Sequence, residues 1–315
     1  MKFRLRNRRF RRRRRNIPYS RINDIPMGRG TDEITQGCLA IEGGGFRGLY
    51  NQGVLDALME KGINFETVIG VSAGALAGVN YITGQIGRSA RANLNYRHDS
   101  EFIGLKAFEM SRSPLNLDFL FNKFDEIEPL DKEKFDTCPR RYVAVASNCL
   151  TGQTEYFEKG KCEDILSAIK ASASLPYMSP MVEVEGKPYL DGGCTCKIPY
   201  QWALDQGFKK IVIIKTKERG YKKSIKLKHR IADRMYRNFP ELMEQLSQMD
   251  ETYERECEEV DKLEKEGRVF VIAPSQVVSV GKLEPNVEKL GNLYWLGYKD
   301  ALEEIDRLRE YLERE

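Results

Sequence analysis

The stretch from Cys38 to Gly48, CLAIEGGGFRG, limits what this chain can become more than any other. Cys38 to Ile41 is apolar and reads as a buried strand. Gly43, Gly44 and Gly45 then turn the backbone sharply into a helix. Glycines lack Cβ, so the turn can bring several amide N–H groups close to one bound atom. Those donors sit at the positive end of the next helix dipole. Such a turn holds negative charge, either standing, as on a phosphate, or transient, as on a reacting carbonyl oxygen.

The next segment bears on which of the two applies. Gly43-x-Gly45-x-x-Gly48 after a strand satisfies the dinucleotide fingerprint, which calls for an acidic residue at the end of the following strand. Glu66 is the acidic candidate nearby, and it begins that strand instead of ending it. The strand runs into Gly70-Val71-Ser72-Ala73-Gly74, the G-x-S-x-G pattern of a nucleophile elbow between strand and helix. The glycine turn then reads as an oxyanion hole and Ser72 as the nucleophile it serves. Two readings from other classes stay beside this one: a nucleotide-binding module built on the glycine turn, and a non-catalytic membrane-associated scaffold.

The scaffold reading comes from the charge distribution. A formal net charge of +4 becomes −6 once the ten positive charges of residues 1–16, Lys2 and nine arginines, are set aside. The basic character therefore belongs to one arm, expected to be disordered and followed by a polar linker over 17–35. Anionic lipid would attract that arm at roughly 1 kcal/mol per basic residue near the surface. Nucleic acid would attract it too, yet nothing else in the chain reads nucleic acid, so none is expected as a partner. Seven cysteines without framework spacing predict free thiols in a reducing compartment. The arginine-rich start is not followed by an apolar signal core, so the expected location is cytoplasmic, with peripheral membrane contact through residues 1–16. The uncharged run Thr67 to Gly87 is long enough to cross a bilayer. It holds five glycines, Ser72, Asn80, Thr83 and Gln85, and is read as a buried strand and helix.

Strands at about 36–42 and 66–71, each leading into a helix, imply parallel pairing with crossover helices. Residues 88–130 read as mixed helix and loop, rich in Phe and Leu, forming either a core layer or a cap with an apolar inner face. Tyr142 to Ala146 reads as a buried strand, and Val182–Val184 with Tyr189–Leu190 as a hairpin around Glu185-Gly186. Ile211 to Thr216 and Val269 to Ala273 are further strands. Residues 222–266 and 286–315 are helical, and 221–315 as a whole is expected to cover the domain formed by 36–220.

A serine hydroxyl needs a base. The chain holds two histidines, His98 in a polar segment and His229 on a basic face, both expected at the surface. Asp191 remains, at the end of an apolar strand and followed by Gly192-Gly193, where a turn-forming Asp-Gly is the competing reading. Partial desolvation would raise its basicity.

Three motifs in order, Gly43-Gly44-Gly45-Phe46-Arg47-Gly48, Gly70-Val71-Ser72-Ala73-Gly74 and Asp191-Gly192-Gly193, resemble those of the patatin-like phospholipases. The resemblance spans about 36–216. Residues 222–315 are similar to the C-terminal part of bacterial members, without an anchoring motif. It implies a three-layer α/β/α sandwich with a mostly parallel sheet, and an acyl hydrolase acting on lipid esters. Ser72 matches the family's nucleophile and Asp191 its base. Gly43, Gly44 and Gly45 match the oxyanion turn, and Arg47 a basic residue that orients it. Gly48, Gly70, Gly74, Gly192 and Gly193 complete the motifs. Ala171 to Pro176 resembles a further family loop, in which Ser172 and Ser174 are given no catalytic role. No metal or other cofactor is implied.

Overall fold

The computed structural model describes residues 17–222 and 235–314. The arm at 1–16 and His229 lie outside the described residues. Among the described residues ten strands form in chain order: β1 (Gly28–Arg29), β2 (Thr35–Ile41), β3 (Phe65–Val71), β4 (Gln85–Ile86), β5 (Arg141–Asn148), β6 (Thr154–Glu158), β7 (Val182–Val184), β8 (Lys187–Asp191), β9 (Ile211–Ile214) and β10 (Phe270–Ile272). Eight of them make one sheet, ordered β10-β9-β2-β3-β5-β8-β7, with β6 also paired to β5. From β10 to β5 every pairing is parallel, and β6, β7 and β8 add antiparallel partners beyond it.

Side chains alternate across a strand, and here both sets are apolar. Leu39, Ile41, Val68, Val212 and Ile214 join a core with the helices Leu49–Glu60, Ala73–Ile82 and Val287–Glu313. Cys38, Ala40, Ile69, Val71, Ile211 and Ile213 face the other way, onto the helices Tyr200–Asp205 and Pro240–Lys265. The result is a three-layer α/β/α fold with a mostly parallel central sheet.

The late strand β10 extends this sheet at the edge formed by β9. The terminal helix Val287–Glu313 lies against Leu49–Glu60, the helix that follows the glycine turn. A Cβ on Gly53 would come within 2.0 Å of the Tyr294 carbonyl oxygen, and one on Gly297 within 2.2 Å of the Tyr50 carbonyl oxygen. The two helices therefore touch backbone to backbone. Reciprocal bonds lock the contact: Tyr50 Oη donates to Asp300 at 3.0 Å and Tyr294 Oη to Asp56 at 2.8 Å.

Residues 17–35, read from sequence as a polar linker, run along the body of the fold. Tyr19 is buried, its N–H bonded to Leu94 O at 3.1 Å, and β1 pairs with β4. The run Thr67 to Gly87 resolves into β3, the helix Ala73–Ile82 and β4. Among the described residues no helix is long and apolar enough to cross a membrane. All seven cysteines carry free thiols.

Candidate active site

Ser72 follows the last residue of β3, and its backbone sits at φ 55° and ψ −121°. Residues with a Cβ rarely adopt a positive φ, so this elbow at the end of β3 is strained. Asp191 is the last residue of β8. Val71 pairs with Val145, and Asp191 with the next residue of β5, Ala146. The two residues thus stand at one height on either side of β5, two strand spacings or about 10 Å apart in backbone. Their side chains close the gap. Ser72 Oγ donates to Asp191 Oδ2 at 2.6 Å, and both residues are buried.

The other carboxylate oxygen, Oδ1, accepts the Gly193 N–H at 2.7 Å, which aims Oδ2 at the hydroxyl. Burial raises the Asp191 pKa above the ordinary carboxylate value; the Ser72 bond, Lys282, the Gly193 amide and Lys197 pull it back down. Desolvation wins, so the carboxylate is a stronger base than an exposed one.

The loop after the helix Ile165–Ser172 ties both residues in place. Ser72 N–H donates to Ser172 Oγ at 2.9 Å, and Asp191 N–H to Ser174 O at 2.8 Å. These serines are positioning groups that the sequence reading left without a role.

The glycine turn lies beside Ser72. The sequence reading counts Gly43, Gly44 and Gly45 as amide donors, and the structure corrects this for Gly43. Its N–H is already given to Lys197 O at 3.1 Å. The Gly44 and Gly45 amides have no hydrogen-bond partner among the described residues. Gly45 sits at φ +58°, and a Cβ there would lie 2.6 Å from Lys282 O. Arg47 also departs from expectation. Its guanidinium makes no hydrogen bond to the turn among the described residues, and its Nε is buried without a partner. The turn is closed by backbone, Arg47 N–H to Gly44 O at 3.3 Å. Of the remaining motif glycines, Gly48 ends the 3-10 turn, Gly70 lies in β3, Gly74 opens the next helix, and Gly192 and Gly193 form a 3-10 turn after Asp191.

Bracing from the helix Pro240–Lys265 was invisible in sequence. Tyr253 Oη donates to Glu42 Oε1 at 2.6 Å, and Glu42 Oε2 accepts the Thr216 N–H at 2.6 Å. Glu256 accepts the Lys197 N–H at 3.1 Å, and burial pushes its carboxyl up to about 7. Because Lys197 O holds Gly43, the helix braces the glycine turn from behind. Tyr253→Phe should leave the buried Glu42 carboxylate short of one donor and lower unfolding stability by about 1–3 kcal/mol, read by urea denaturation. An unchanged midpoint would remove Tyr253 from the brace.

Two cavities meet at Ser72. One, of about 260 Å³, is lined by Leu49, Leu76, Phe102, Leu115, Leu120 and Phe121 among others. The segment 88–130 supplies much of this wall while Phe102, Phe119 and Phe124 also belong to the main core, so it is core and cap at once. The other, of about 80 Å³, holds Asp191, the three glycines, Arg47, Lys197 and Lys282.

The alternatives fare differently. Both ring nitrogens of His98 lie against main-chain carbonyls, Ile17 O at 3.1 Å and Pro285 O at 2.9 Å. Glu66 accepts the Gly37 N–H at 2.9 Å, at the start of β2 and β3 and away from the glycine turn, so it offers no ribose ligand there.

The chain thus folds as a three-layer α/β protein with a strained serine elbow beside a glycine turn. The patatin-like phospholipase family profile matches residues 39–204, and the chain belongs to that family. A second profile, a domain of unknown function designated DUF6363, matches residues 239–313. The chain is 32% identical to the uncharacterized protein YjjU of Escherichia coli K12, over 64% of this chain and 57% of that protein. It is 30% identical to an uncharacterized NTE family protein of Mycobacterium tuberculosis H37Rv, over 51% of this chain and 43% of that one. The chain spans about half the length of the curated relatives it matches. Among solved structures, VipD from Legionella pneumophila is similar at a TM-score of 0.44 and 14% identity, covering 87% of this chain and 67% of that one.

Proposed function

We propose that this chain is a serine acyl hydrolase that cleaves carboxylic ester bonds of lipids, phospholipase A- or lysophospholipase-like, through a Ser72–Asp191 dyad. The observation that carries the reading is the 2.6 Å bond from Ser72 Oγ to a buried carboxylate, where an apolar cavity meets a small cationic one. Family membership supports it.

Asp191 takes the Ser72 proton as Oγ attacks the ester carbonyl. The oxyanion forms against the Gly44 and Gly45 amides, each such donor lowering the barrier by about 2.7–4 kcal/mol in comparable enzymes. The acyl chain occupies the apolar cavity. The departing alcohol or lysolipid takes the proton back from Asp191 on the side of Arg47, Lys197 and Lys282, which favour an anionic leaving group. Its departure leaves an acyl ester on Ser72; water, deprotonated by Asp191, attacks that ester, and the fatty acid leaves as Ser72 Oγ takes the proton back from Asp191. Residues 36–220 carry this chemistry, and the helices Pro240–Lys265 and Val287–Glu313 cover and brace it. The basic arm at 1–16 adds attraction to anionic lipid.

Labelling the protein with a fluorophosphonate and mapping the modified peptide tests the proposal. Modification of Ser72 is the expected result. Modification of another serine, or none, would overturn it.

A further inference from the structure

We propose that one face of the molecule, centred on the helix Leu105–Ser111, docks on an anionic lipid bilayer with its apolar side chains inserted. The helix is an excursion from the cavity wall. Its base is clipped by Gly104 N–H to Pro114 O at 2.9 Å, Asn116 N–H to Phe102 O at 2.9 Å, and a bridge between Ile103 and Leu115. Phe102 and Leu115 at that base line the apolar cavity. The helix itself buries only Ala107. Leu105 is 77% exposed, Phe108 48% and Met110 61%, and Leu105 and Phe108 share one face at i, i+3. Three large apolar groups on one short exposed helix have no intramolecular use and mark a contact with something apolar.

Ala107 N–H donates to Ser100 O at 2.8 Å, which holds the helix two residues from His98. Leu283 and Leu166 line the cavity and are themselves 39% and 36% exposed. Ile17, the first described residue, lies close to Leu283 and to the base of the helix. Arg97 donates to the carbonyls of Leu283 and Glu284, and the next residue, His98, lies against Ile17 O and Pro285 O. Ile17 is 63% exposed. The sixteen residues before it carry ten positive charges and no acid. An apolar helix close to Ile17, and ten positive charges in the sequence that precedes Ile17, suit a bilayer with anionic headgroups, where insertion and electrostatic attraction add. A lipid ester could then pass from bilayer to cavity without crossing water. The purpose of this face rests on the lipid-hydrolase reading; its geometry does not.

The test uses full-length protein carrying Ser72→Ala, so that vesicles stay intact, and sedimentation with vesicles of equal parts phosphatidylcholine and phosphatidylglycerol. Changing Leu105, Phe108 and Met110 all to serine should lower the partition coefficient at least about tenfold, since these groups lose their apolar transfer gain. The single change Leu105→Ser, at a side chain in solvent, should lower it in the same direction and guards against misfolding of the triple variant. Replacing Arg11 to Arg15 by serine should weaken binding to the anionic vesicles and leave binding to pure phosphatidylcholine unchanged. With Ser72 restored, the triple variant should hydrolyse soluble p-nitrophenyl butyrate at the parent rate. Equal vesicle binding by parent and helix variants would overturn the proposal, as would a parent that binds no vesicles. So would a parent dimer that the triple variant abolishes without changing vesicle binding. A parent inert toward the soluble ester but dependent on the helix for vesicle binding would sink the catalytic reading and leave the docking face standing.

Discussion

Replacing Ser72 with alanine is expected to lower kcat/KM for an acyl ester by about 10⁴-fold or more, the scale seen when a nucleophile is removed and only donors and binding remain. That corresponds to roughly 5.5 kcal/mol of lost transition-state stabilisation. Folding should persist, because the Ser72 side chain packs at the rim of two cavities instead of filling the core. Ser72→Gly separates chemistry from architecture. It should be equally inactive, and it relieves a φ of 55°, a strain of about 1–3 kcal/mol for a residue with a Cβ. A rise in melting temperature together with lost activity would show an elbow held under strain for function. Turnover retained in either variant would reject Ser72 as the nucleophile.

The Asp191→Asn variant should lose activity on a similar scale of about 10⁴-fold, because an amide can hold the hydroxyl but cannot take its proton. Its stability should move the other way. Burial raises the Asp191 pKa in the folded protein, so the folded state binds a proton that the unfolded state has released. Stability from this group is therefore present below the unfolded carboxylate value of about 3.9 and is lost as pH rises above it toward the folded value. Asparagine removes that loss. The variant should be more stable than the parent at pH 7, with the advantage vanishing below about pH 4. The same shift sets the pH profile. Activity of the parent should fall with decreasing pH at a point above the ordinary aspartate range. Lys282→Met, which deletes a charge that lowers the Asp191 pKa, should move that point higher still. A profile unaffected by Lys282→Met, or an active Asp191→Asn enzyme, would point to another base.

The parts legible in sequence were those whose geometry is set within a few consecutive residues. A glycine triplet after an apolar strand, a serine between two glycines at a strand end and an aspartate before two glycines each dictate a local backbone path. The alternating and continuous apolar runs of β2, β3, β5 and β9 placed the sheet. The shortage of histidines directed attention to Asp191. Less legible was how each group is spent. The motif places Gly43, Gly44 and Gly45 alike in the oxyanion turn, yet Lys197 O claims the Gly43 amide. Arg47 was assigned to orient a turn that backbone bonds close. The sequence gives Ser172 and Ser174 no catalytic role, and it does not show that Ser172 Oγ receives the Ser72 amide and the Ser174 carbonyl the Asp191 amide. Tyr253 and Glu256 lie in a charged helix whose sequence shows only amphipathic spacing, and Lys282 lies in an irregular segment.

The sequence alone determined the chemistry on offer: a hydroxyl at a strained elbow, a carboxylate at a strand end, amides in a glycine turn. Backbone conformation and side-chain type are local properties, and a few adjacent residues specify them. Only the tertiary structure decided that Ser72 and Asp191, 119 positions apart, share a 2.6 Å hydrogen bond across β5. It also decided that Gly44 and Gly45, but not Gly43, keep their amides available, and that a helix two hundred residues downstream braces them. Those outcomes depend on strand order and on which donors are already satisfied, and both arise only when distant segments bury their apolar faces together.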